Sequence, residues 1–71
     1  MKRYVKEFAE DEIRHCGWIE TKYKDLYITH IRDIVSKAER GLITSRDALS
    51  GIYNAYGDVL NNYYHPFGYG K

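Results

Sequence analysis

Between Thr21 and Gly41 the apolar positions recur with a helical period. At about 100° per residue, Tyr23, Tyr27, Ile28, Ile31, Ile34, Val35 and Ala38 share one arc of roughly 140°, the width of a core-facing helix. Lys22, Asp25, Thr29, Arg32, Asp33, Ser36, Lys37, Glu39 and Arg40 take the other side, where Asp33 and Lys37 are spaced for an i,i+4 ion pair. Thr21 is the N-cap this pattern predicts and Gly41 the stop. Lys24 falls inside the arc but in the first turn, where its stem can lie over the core while the ammonium reaches water. Leu26 points away from the stripe.

A second helical period runs from Lys2 to Cys16 and places Val5, Phe8, Ala9, Ile13 and Cys16 on one side, with Gly17 as its stop. Glu12 projects into the middle of that apolar side, so the face there is either a helix contact with a compensating partner for the carboxylate or a surface that is not fully buried. Trp18 and Ile19 are expected to plug one end of the core. After Gly41, Thr44 followed by Asp47 three residues on reads as a helix start, and Leu42 and Ile43 are expected to tuck back against the helices they join. A third helix is predicted from Ser45 to about Tyr64, with a broad apolar arc and a break near Gly57-Asp58, because glycine costs about 1 kcal/mol relative to alanine inside a helix. His65-Pro66-Phe67-Gly68-Tyr69-Gly70-Lys71 cannot continue it. The expected fold is all-α: a small three-helix bundle over residues 1–64, its third helix broken near Gly57, with an aromatic C-terminal tail over residues 65–71.

At 71 residues the chain makes one domain with a marginal core, which a homodimer would relieve. Eleven basic and ten acidic residues leave a net charge of +1, which gives no electrostatic pointer to nucleic acid and does not mimic it. The one cysteine, Cys16, excludes an internal disulfide; with no signal peptide it predicts a reducing cytoplasm, and no apolar run is long enough to cross a bilayer.

No catalytic, cofactor or metal constellation emerges. His15 is the sequence neighbour of Cys16 and points about 100° away on the same helix, the wrong place to activate a thiol. Asp11 and His15 are spaced i,i+4 but no third metal ligand follows at a suitable spacing. The glycines lack the strand-to-helix setting of a phosphate loop. The expectation is therefore a protein that is not an enzyme.

Two binding readings remain. The turn between the second and third helices permits a helix-turn-helix regulator in which Ser45, Arg46, Ser50 and Asn54 approach base edges and Lys2, Arg3 and Lys6 reach phosphates, although Asp47 and Asp58 lie near the same face. The stronger compositional feature is eight tyrosines, more than so small a core can house with every hydroxyl bonded. Tyrosine supplies rigid contact area with a polar tip in protein interfaces. Tyr53, Tyr64, Phe67 and Tyr69 are the residues expected to form a partner surface, for another protein or for a second copy in a self-associating module.

The opening MKRYVKEFA and the turn AERGLIT resemble short proteins carried by phages and integrative elements of Gram-positive bacteria. The likeness covers the first nine residues and roughly residues 34 to 50. It implies a context in which small host-takeover proteins, anti-CRISPR inhibitors among them, act by binding a host protein; it transfers no functional residue.

Overall fold

The computed structural model of the chain describes residues 2–64, and the side chains of residues 2–61. Within them the fold is all-α, with four helices and no strand: α1 (Arg3–Arg14), α2 (Thr21–Glu39), α3 (Ser45–Tyr53) and α4 (Ala55–Tyr64), with a 3₁₀ turn at Cys16–Trp18 between α1 and α2. α2 is the central element and packs against each of the other three helices, while α1 also meets α3. Its buried row, Tyr23, Tyr27, Ile31, Ile34 and Ala38, follows the predicted stripe. Val5 and Ala9 of α1, Ala48 and Ile52 of α3, and Ala55 and Val59 close the core around it. Each large aliphatic side chain fully removed from water there contributes about 1.5 to 3 kcal/mol of transfer free energy.

The third predicted helix is two helices, so the bundle has four members rather than three, and the break lies at Asn54 rather than near Gly57. Asn54 back-bonds to the helix through its side chain at this point. Its side-chain amide donates to the Ser50 carbonyl at 2.9 Å and its own backbone N–H donates to the same oxygen at 3.1 Å. That closes α3, and the Asp58 N–H then bonds to the Asn54 carbonyl at 3.0 Å and opens α4. Gly57 sits inside the first turn of α4, where a Cβ would meet nothing within 4 Å.

α2 ends in a Schellman motif. Gly41 takes φ +77°, its N–H donates to the Ala38 carbonyl at 3.1 Å, and the Leu42 N–H donates to the Lys37 carbonyl at 2.9 Å. Thr44 caps α3 by accepting the Asp47 N–H on its Oγ1 at 3.0 Å. The expected N-cap at Thr21 is displaced by one residue. Glu20 holds that position without a side-chain bond, its carbonyl accepting from the Lys24 N–H at 3.1 Å, so Thr21 is the first residue of α2.

Three other expectations change. α1 stops at Arg14 rather than Cys16, because the chain tightens into the 3₁₀ turn that contains Gly17. Ile43 packs against the core as expected, but Leu42 is exposed. Ile19 plugs the core at 3% exposure, whereas Trp18 stays 62% exposed. A 3₁₀ turn brings i and i+3 onto one side. Cys16 and Ile19 thus take the inner positions together and Trp18 is turned out.

Candidate aromatic interaction surface

Trp18 is exposed but not unsupported. Its ring meets Tyr56 edge-on, with centroids 4.8 Å apart and planes at 75°, and meets Tyr27 at 6.2 Å and 69°. Tyr27 and Tyr56 also meet edge-on, at 6.4 Å and 77°. The three rings come from the 3₁₀ turn, from α2 and from the first turn of α4, so the start of α4 is itself fastened to the Trp18 turn. Edge-to-face pairs of this kind contribute about 0.5 to 1.5 kcal/mol each beyond their buried area.

Beneath this cluster lies the residue that broke the pattern of α1. The Tyr27 hydroxyl donates to Glu12 Oε1 at 3.1 Å, which gives the half-buried carboxylate its compensating partner. Tyr27 is 2% exposed. Burial first, then the hydrogen bond and the negative charge of Glu12, push its phenol from 10.0 up to about 12. A second link joins α2 and α4 nearby, where His30 Nε2 lies 3.4 Å from Asp58 Oδ2.

The residues named from the sequence distribute unevenly around this cluster. Tyr53, at the last turn of α3, is 79% exposed, and it precedes Tyr56 by one helical turn of sequence. Tyr64 is the last residue of α4, with its side chain outside the described set; Phe67 and Tyr69 lie outside the described residues altogether. The cluster instead brings in Trp18, which was expected to plug the core, and Tyr56, which was not among the expected partner-surface residues. The signal that marks Trp18 is the three-residue spacing of Cys16 and Ile19, which fits a 3₁₀ turn; nothing in the sequence marks its contact with Tyr56.

Of the four positions suited to a nucleic-acid reading, two are engaged within the chain. Ser45 Oγ accepts the Lys2 backbone N–H at 3.3 Å, and the Asn54 side chain caps α3 from the bend that follows it. Arg46 and Ser50 are exposed on α3. The Asp11 and His15 side chains approach to 3.4 Å, and Arg14 lies at the same distance from Asp11, so that carboxylate faces two cationic or potentially cationic neighbours on the surface of α1. Among the described residues no group of three histidine, cysteine or acidic side chains is placed to hold a metal ion, and no helix is long and apolar enough to cross a membrane.

A groove of about 260 Å³ runs between α1 and α2, with Ala9, Ile13, Ile31 and Val35 along its floor and both signs of charge on its rim. Lys6 and Arg32 on that rim are balanced by Glu10 and Glu39, so it presents no net field to a charged ligand.

No known protein family matches the chain, and no curated protein or solved structure matches it.

Proposed function

We propose that the chain is a non-enzymatic interaction protein, of phage or mobile-element origin, that binds a bacterial host protein through the surface centred on Trp18, with Tyr56 packed against it and Tyr53 three residues before Tyr56 in the chain. The observation that carries this reading is an exposed tryptophan held by two edge-on tyrosines. A partner meeting a ring already fixed in place loses less side-chain entropy on binding than one meeting a mobile ring. Tryptophan and tyrosine are also the side chains that most often dominate binding energy in protein interfaces.

The resemblance of the opening and of the α2–α3 turn to proteins of mobile elements supplies the context. Within that context a defence nuclease is the class of partner an anti-CRISPR-type inhibitor would occupy. With a net charge of +1 the chain does not imitate DNA, so contact with such a nuclease would run through apolar and aromatic surface rather than through a negative field.

Affinity capture tests the reading. The tagged protein is incubated with nuclease-treated host lysate at about 0.3 M salt, where exposed charge contacts are largely screened, and retained proteins are identified by mass spectrometry. One stoichiometric host protein is expected with the wild type. Trp18→Ala should weaken that capture by about 2 kcal/mol or more, roughly 30-fold. Capture that survives both Trp18→Ala and Tyr53→Ala undiminished overturns this surface. Retention of nucleic acid alone, from untreated lysate at low salt and lost with Arg46→Ala, replaces it with the DNA-binding reading.

A further inference from the structure

We infer that Glu12 is a positioning residue for the Trp18 surface, acting on the tryptophan through Tyr27; the inference rests on the interaction reading above. Glu12 occupies the centre of the apolar side of α1, where an aliphatic residue would suit the helix pattern better. What the carboxylate does there is accept the Tyr27 hydroxyl at 3.1 Å.

The geometry divides the task of holding Tyr27. A phenol oxygen lies on the long axis of its ring, so the bond to Glu12 anchors that axis but leaves rotation about it free. The edge contacts with Trp18 and Tyr56 limit that rotation. With its tip tied to α1 and its ring faces set by its neighbours, Tyr27 becomes a fixed wall. Trp18 needs such a wall because more than half of its surface faces water, and water gives a ring no preferred orientation. Tyr56 is the other wall, and it belongs to α4, whose first turn follows the bend at Asn54. Glu12 therefore links α1, α2 and the 3₁₀ turn in a chain of contacts that ends at the exposed indole.

Trp18 is the sole tryptophan, so fluorescence excited at the red edge of indole absorption, beyond tyrosine, reports this ring alone. Steady-state anisotropy and acrylamide quenching are measured on the full chain for the wild type, Glu12→Leu, Glu12→Gln and Tyr27→Phe, with far-UV circular dichroism to confirm helicity. Glu12→Leu and Tyr27→Phe should each show a loss of Trp18 anisotropy and a gain in quenching with helicity unchanged. Glu12→Gln, whose amide oxygen still accepts the phenol, should stay near the wild-type values. A merely structural Glu12 would shift the denaturation midpoint and leave the anisotropy where it was. That result in both Glu12→Leu and Tyr27→Phe overturns the inference; if Glu12→Leu does not fold, Tyr27→Phe, which removes one oxygen atom, decides alone. The two readings fail separately. An ordered Trp18 in these variants, with host-protein capture lost in Trp18→Ala, removes the positioning role and leaves the interaction. A loosened Trp18, with capture intact in both Trp18→Ala and Tyr53→Ala, removes the interaction surface and leaves Glu12 as the group that orders the ring.

Discussion

Raising the pH should unfasten Tyr27 before it unfolds the helices, and the size of the effect follows from the buried phenol. Its pKa is pushed up from 10.0 to about 12, chiefly by burial and then by the neighbouring Glu12 carboxylate. At about 1.36 kcal/mol per unit, a shift of about two units corresponds to roughly 2 to 3 kcal/mol. The sign is that of a raised pKa. The folded state holds the proton more tightly than the unfolded chain, so this contribution is complete below pH 10 and declines as pH rises toward 12. For a 71-residue domain the total stability is expected to be about 4 to 10 kcal/mol, of which this is a large share. Guanidinium unfolding followed by far-UV circular dichroism, at several pH values from 8 to about 12, should show the stability of the wild type falling through that window. Tyr27→Phe should start lower at pH 8 by about 1 to 3 kcal/mol, because Glu12 loses its bonded partner. Its curve should then be flatter between pH 10 and 12, since the group that titrates is gone. Equal slopes in the two proteins would refute the assignment of alkaline instability to this buried phenol.

Substitutions at four positions test the rest of the fold by chemical denaturation. Gly41→Ala should cost about 1 to 2 kcal/mol, because a Cβ is forced into the left-handed region at φ +77°. Gly57→Ala should stabilise by about 0.5 to 1 kcal/mol, since the position is helical and its Cβ would meet nothing; a loss there would mean that α4 needs its glycine. Thr44→Ala should lower the midpoint by about 1 kcal/mol through loss of the α3 cap, with Thr44→Asp close to wild type. Ile31→Ala, at a fully buried position on the central helix, should cost about 2 to 5 kcal/mol and bring so small a domain near unfolding at room temperature.

The parts of this fold that could be read from the sequence are those fixed by signals within one turn of chain. The apolar row of α2, the glycine that ends it and the threonine that starts α3 each depend on residues no more than four positions apart, and each lies where that spacing puts it. The bend at Asn54 was misplaced because glycine's weak helix propensity is a statistical tendency, whereas asparagine, whose amide here bonds back to the Ser50 carbonyl, is itself favoured at helix ends and turns. Trp18 was misplaced for a different reason. Trp18 and Ile19 read together as apolar residues past the helix stop, but the chain there turns with a period of three, which keeps Cys16 and Ile19 buried and puts Trp18 outside. The exposure of Tyr53 was expected from its place in the anticipated partner surface. Its neighbours in the candidate surface were not, since the contact of Trp18 with Tyr56 joins positions far apart in the chain and depends on how α4 is laid against α2.

Two residues break the pattern of apolar inside and polar outside, and they do so in opposite directions. Glu12 places a carboxylate where the helix period calls for an aliphatic side chain, and Trp18 places the largest apolar side chain in water. Taken singly, each is a small departure of a kind that folded proteins tolerate. They are not independent, because the hydroxyl of Tyr27 meets Glu12 while its ring meets Trp18. Departures from local rules collect where a surface is shaped for something other than stability. A core this small has little free energy to spare for an exposed indole, and the tyrosines that could have been drawn over it are instead set edge-on around it, leaving it open. The arrangement is what a binding surface requires, an apolar ring presented to solvent in one orientation, and the carboxylate beneath it is the polar atom that lets the buried tyrosine hold that orientation.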